Sequence, residues 1–177
     1  MPDSEKKSLP AIGFLTVVEH PERGLFGGYL VLNINGRPLE FHCTAPVKPN
    51  RAQEILYGPT LKPFLYGEQI GQTLIEKGRV EPLFVCTDVE PALAAREFIK
   101  SPVLLLLNNA SATPTPDWLH GFELAGNRLA VALDRREDEA VVTQRWAPHS
   151  QSVDFSEPFS RIRDAIEEAQ RSARPAA

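Results

Sequence analysis

Apolar positions recur first in short alternating or unbroken runs and only later at helical spacing. Residues 11–18, AIGFLTVV, and 29–34, YLVLNI, are rich in β-formers and read as strands, the first buried on at least one face. Between them HPERGLFGG turns the chain, with Pro21, Gly24, Gly27 and Gly28 as breakers. Asn35-Gly36 is a type I′ hairpin signal, because both central residues of that turn need positive φ, and a third strand over 38–44 returns antiparallel. The three strands predict a meander.

Helical signals follow. APVKPN is a proline-punctuated connection, Asn50 is suited to cap a helix from Arg51, and Gly58-Pro59 should end it. A second helix over 60–77 sets Phe64, Leu65, Ile70, Leu74 and Ile75 at near-helical spacing. Gly67 and Gly71 share one of its faces, and since each glycine costs about 1 kcal/mol in a helix interior, the pair predicts a close approach to another element. PLFVCT, 82–87, reads as a fourth strand, Glu90-Pro91 opens a helix to about Ile99, and PVLLLLN is a fifth strand covered on both faces. Strand, helix and strand at this spacing form a βαβ crossover unit.

Composition then shifts to NNASATPTPDWL, 108–119, a loop in which Trp118 serves as a packing anchor. Arg128 to Leu133 and Ala140 to Trp146 read as a hairpin whose charged turn, DRREDE, is a solvated tip. Ser156 is placed to cap a last helix with Phe159, Ile162, Ile166 and Ala169 on one face. The fold class is therefore α/β with a mixed sheet: a three-stranded antiparallel meander, helix-strand-helix-strand, then a C-terminal hairpin and helix. One domain is expected over 11–170, between disordered polar tails at 1–10 and 171–177.

A hydrophobic fraction of 42% over 177 residues suits one ordinary core. A net charge of -4, from 19 basic and 23 acidic residues, argues against a general polyanion-binding surface. The N-terminus lacks the apolar core of a signal peptide, and the run from Val103 to Leu107 is too short to span a bilayer. The expectation is a soluble cytoplasmic protein without membrane contact, its Cys43 and Cys86 reduced and the Asn109-Ala110-Ser111 sequon without weight. His20, His42, Cys43 and Cys86 are zinc-ligand types without zinc-site spacing, so both cysteines read as small core residues. No P-loop or dinucleotide fingerprint is present, and no cofactor is expected from motifs.

Residues 12–107 resemble the ribonuclease H-like fold in element order and in short motifs. Glu19 stands before a Gly-rich turn where the family ends its first strand in a catalytic acid, and Gly27-Gly28-Tyr29 is similar to the family's opening of strand two. Asn50-Arg51, with Glu54 shortly after, resembles the start of the next helix, and Thr87-Asp88 resembles the end of strand four. A register without gaps puts Gln53 rather than Glu54 at the helix acid, and Asp117 and Asp134 are the candidates for a last acid. The resemblance implies that the first and fourth strands are neighbours, so that Glu19, Glu54 and Asp88 would be catalytic and metal-ligating, holding Mg²⁺ or Mn²⁺ for phosphodiester chemistry on nucleic acid. Two functions follow as expectations. The first is a non-catalytic protein-interaction module with a degenerate ribonuclease H-like fold and no cofactor, contacting a protein partner through the 108–119 loop or the late hairpin. The alternative is the metal-dependent nuclease or phosphoryl-transfer enzyme. A profilin-like or roadblock-like domain, whose meander has no parallel βαβ partner, is a further fold alternative.

Overall fold

Side chains of the first strand alternate between two buried faces, and this decides the architecture. In β1 (Ala11–His20), Ala11, Leu15 and Val17 join one core while Ile12 and Phe14 join another, so the strand is central in its sheet. The computed structural model describes residues 9–107, 114–149 and 152–173. Its seven strands run in the order β3-β2-β1-β4-β5-β7-β6. β1 is antiparallel to β2 (Gly24–Asn33), which is antiparallel to β3 (Pro38–Cys43). On its other side β1 is parallel to β4 (Val85–Thr87), and β4 to β5 (Val103–Leu106). The antiparallel pair β6 (Leu119–Leu124) and β7 (Asn127–Ala132) completes a mixed α/β sheet. The meander therefore has a parallel partner, which the profilin-like and roadblock-like alternative lacks.

β2 starts at Gly24 and takes in the glycines expected to break the chain. Gly27 and Gly28 point to opposite faces of the strand. A Cβ on Gly27 would lie 2.2 Å from Ile70 Cγ2, and one on Gly28 would lie 2.3 Å from Ile162 Cγ2. These glycines let the helices on both faces approach the sheet, a use of strand glycine that breaker statistics do not capture. The real turn is short, and His20 Nδ1 holds it by accepting from the backbone N–H groups of Glu22 and Arg23 at 3.2 and 3.1 Å.

Nor is the next turn type I′, since Gly36 has φ of 83° but Asn35 is not in the positive region. Instead the Asn33 C=O accepts from Gly36 N–H, Asn33 N–H donates to Arg37 C=O, and the Asn33 side chain accepts from Asn35 and Arg37 N–H. The loop is one residue longer, with glycine at its left-handed position.

Asn50 caps α1 (Arg51–Tyr57) through a capping box with Gln53, and the helix stops before Gly58-Pro59 as expected. The chain then stays helical to Lys77: a 3-10 turn Gly58–Thr60, α2 (Leu61–Pro63), a π-helical segment Phe64–Gln72, and α3 (Thr73–Lys77). Gly67 and Gly71 do serve close approach, because a Cβ on either would stand 2.6 or 3.1 Å from Ala94 or Ala95 Cβ. Those alanines belong to the segment Glu90–Glu97, which is a 3-10 helix and not the α-helix expected.

After Leu106 the chain departs most from its expected elements. The late hairpin is β6–β7, joined by Ala125 (φ 53°) and Gly126 (φ 82°). Alanine seldom adopts positive φ, so Ala-Gly carries no hairpin signal. Residues expected as the second strand form α4 (Glu137–Trp146), burying Val142 and Trp146 four apart, with Glu137, Asp138 and Glu139 at its N-terminus. DRREDE is no solvated tip: Asp138 is 3% exposed and paired with Arg96. α5 (Glu157–Ala173) follows, so residues 171–173 are helical rather than tail. The carboxylate of Asp154, not Ser156, organises its start, accepting from both Ser156 N–H and Oγ. α4 and α5 cover one face of the sheet, while the helical run to Lys77 and the 3-10 helix cover the other. Cys86 is buried as expected but Cys43 is exposed. Residues 1–8 and 174–177 of the expected tails, and residues 108–113 of the loop, lie outside the described residues. No helix among the described residues is long and apolar enough to cross a membrane.

Candidate functional site

Beyond the last sheet contacts of β1 the chain leaves a cleft of about 460 Å³, walled by the β1–β2 turn, the connection at Val47 and Pro49, and the helical run at Leu61, Lys62, Leu65 and Tyr66. Its wall at Val47 is fixed by reciprocal backbone hydrogen bonds to Leu25, each 2.8 Å. Its polar centre is Glu19, whose Oε1 accepts from the Tyr66 hydroxyl at 2.5 Å and lies 3.9 Å from Lys62 Nζ. Burial pushes the Tyr66 phenol well above its ordinary pKa, and the neighbouring Glu19 carboxylate adds to this. Tyr66 is thus a fixed hydrogen-bond donor. It sits in the π-helical segment, and π turns within helices are frequent at functional sites.

Asp88 lies elsewhere. Its Oδ1 accepts from Thr16 Oγ1 at 2.6 Å, and its Oδ2 is paired with Arg163 of α5. Thr16 and Glu19 are three residues apart on one strand, an odd spacing that sends their side chains to opposite faces. Glu19 therefore faces the helical run, and Asp88 faces α5. The parallel pairing of β1 with β4 is as expected, yet it does not bring these two carboxylates together.

Glu54 is on α1, a helix with no buried residue, where it pairs with Arg51 at 3.2 Å across one turn. Gln53 is occupied by the capping box. Glu19, Glu54 and Asp88 thus have three separate sets of partners, and as an Mg²⁺ or Mn²⁺ site they do not fit: two ions about 4 Å apart need carboxylates that converge. Among the described residues no group of three or more His, Cys, Asp and Glu side chains is placed to hold a metal ion. The buried Cys86 thiol is pushed far above its ordinary pKa by burial and then by Asp88, which removes it as a nucleophile.

Tyr66, Lys62 and Arg163 were not singled out by their sequence context. The Tyr66–Glu19 bond spans 47 residues and the Arg163–Asp88 pair 75, so no local pattern signals either. Gly67 and Gly71, beside Tyr66, signalled only a close approach to another element.

A further feature borders the cleft. On α1, Ile55 is 64% exposed and Leu56 82% exposed, while Tyr57 stacks on Phe64 with centroids 4.0 Å apart. The stack and the capping box hold the helix in place without burying its apolar residues. Neither the protein-family models nor the curated proteins contain a match to this chain.

Proposed function

We propose that this chain is a non-catalytic protein-interaction module on a degenerate ribonuclease H-like sheet, with α1 and the adjoining cleft as its recognition surface. The strand order β3-β2-β1-β4-β5, with β1, β4 and β5 parallel, supports the fold part of this reading. The observation that carries the functional part is α1. It presents Ile55 and Leu56 to solvent on a rigidly capped helix that buries nothing of its own. An exposed apolar pair of this kind, beside a concave surface, suits contact with another protein. The acids that would argue for catalysis are engaged in structural bonds on different faces. Asp88 ties β1 to α5, and Glu19 ties β1 to the helical run.

The test pairs a binding readout with a metal readout. Cross-linking of the full chain in lysate, compared with an Ile55→Ser/Leu56→Ser variant of unchanged melting temperature, should yield a protein adduct through α1 that the variant loses. Titration with Mg²⁺ or Mn²⁺ should leave the melting temperature unchanged in both wild type and Asp88→Asn. An adduct indifferent to the α1 changes, or a metal-induced rise abolished by Asp88→Asn, overturns the reading.

A further inference from the structure

β3 is an edge strand of the sheet, with Phe41 and Cys43 on one face and Glu40 and His42 on the other. On the α5 face of the sheet Phe41 is 39% exposed and Cys43 is also exposed, because α5 packs on β1 and β2 and stops short of β3. On the opposite face Glu40 and His42 lie side by side, with His42 Nε2 3.8 Å from Glu40 Oε1, and the Glu40 carboxylate also accepts from the backbone N–H groups of Arg79 and Val80 at 2.8–3.0 Å. Edges are ordinarily blunted by lysines, inward charges or prolines. In β3 Pro38 and an irregularity at Leu39 do this at its first end and the inward-facing Glu40 adds a charge, while from Glu40 to Cys43 the pairing with β2 is continuous.

The backbone directions of this edge follow from its pairing. Thr44 N–H donates to Gly27 C=O, and antiparallel ladders alternate between bonded and non-bonded pairs. Residues 40, 42 and 44 therefore bond inward to β2, and the N–H and C=O groups of Phe41 and Cys43 point outward.

We propose that β3 pairs antiparallel with β3 of a second copy about a two-fold axis at Phe41, joining the two sheets into one. Among the registers centred on Glu40, Phe41 and His42, the one on Phe41 pairs unlike residues across the axis. Centring on Glu40 would set like charges opposite each other, and centring on His42 would set the imidazoles opposite each other. Centring on Phe41 puts Glu40 opposite His42 of the partner subunit on one face, twice by symmetry, and Phe41 against its own counterpart on the other. It also makes Phe41 a hydrogen-bonded pair with itself. Cys43 then faces Leu39 of the partner subunit. Beside Cys43 is a recess of about 290 Å³ lined by Phe26, Pro46, Ile166 and Ala169, an apolar seat for that leucine. The surface is distinct from α1 and the cleft, so the inference stands independently of the function proposed above.

The experiment is sedimentation equilibrium of the full chain over a concentration series, with a cysteine pair to read the register. Wild type should tend to twice the 19.6 kDa of one chain, and Phe41→Glu should remain monomeric with its melting temperature unchanged, since Phe41 is part of no core. In a Cys43→Ser background, Phe41→Cys should form an intermolecular disulfide on mild oxidation, because directly opposed bonded residues have Cα atoms about 5.5 Å apart. Native Cys43 should form none, being offset from its counterpart by about 13 Å at ~3.4 Å per residue. A monomer at every concentration, a dimer unaffected by Phe41→Glu, or cross-linking through native Cys43 in place of Phe41→Cys overturns the proposal.

Discussion

Thr16 donates its hydroxyl to Asp88 at 2.6 Å, and that bond assigns Asp88 to the face of the sheet covered by α5. Thr16 is fully buried, so its loss cannot be made good by water. Thr16→Val should destabilise the fold by about 1–3 kcal/mol, because the methyl leaves Asp88 short of a donor in a partly buried position. Thr16→Ser, which keeps the hydroxyl, should cost less. Urea unfolding of the two variants checks the order.

Gly27 and Gly28 make a second prediction, one for each face of β2. Replacing either by alanine forces Ile70 or Ile162 out of its seat. Each change should cost about 1–3 kcal/mol, the range for overpacking a dense core. A Gly28→Ala/Ile162→Val double variant recovering part of the loss would show that the clash itself is responsible.

Arg96 and Asp138 join the 3-10 helix to α4 through two hydrogen bonds, 2.8 Å from Nε and 3.2 Å from Nη2. Asp138→Ala should be among the most damaging single changes in the chain, at about 3–5 kcal/mol, because it strands the guanidinium in a mostly buried position. An Arg96→Met/Asp138→Leu double variant should be much closer to wild type. Thermal melts of both distinguish an unpaired charge from simple loss of contact.

Tyr29 and Tyr66 predict the alkaline limb of stability. Burial, reinforced by Glu40 at Tyr29 and by Glu19 at Tyr66, pushes both phenols well above their ordinary value. Above pH ~10 the unfolded chain releases these protons while the folded chain keeps them, so the stabilising contribution is complete below that pH and is lost as pH rises. Each phenol should add up to about 1.4 kcal/mol per pH unit to the fall. Tyr66→Phe should make the slope shallower, and denaturant midpoints from pH 9 upward measure it. Asp154, whose carboxyl is held below its ordinary value chiefly by the Ser156 hydroxyl, acts with the opposite sign. Its contribution is present at neutral pH and is lost as pH falls through the carboxylate range.

Much of the first two-thirds of the fold was legible locally. Asn50 with Gln53 writes a helix start, Gly58-Pro59 a stop, and the spacing of Gly67 and Gly71 a close packing that Ala94 and Ala95 complete. The later third was not. AVVTQRW is β-branched and apolar enough to read as a strand, yet the fold makes it helical by burying Val142 and Trp146 and neutralising Asp138 with Arg96. β6 was missed for the same kind of reason, since its partner strand and its Ala125-Gly126 turn are defined by pairing and not by propensity.

The candidate acids show where local reading stops. Periodicity, turn residues and caps determined a mixed sheet beginning with a meander, because those signals act between residues a few positions apart. Which acid meets which depended on contacts spanning tens of residues. Only the folded chain decided that Glu19 binds Tyr66 on one face, that Asp88 binds Thr16 and Arg163 on the other, and that Glu54 remains on an exposed helix. The physical reason is the two-residue period of β1. An odd step along the strand crosses the sheet, and no pairing of β1 with β4 can undo it.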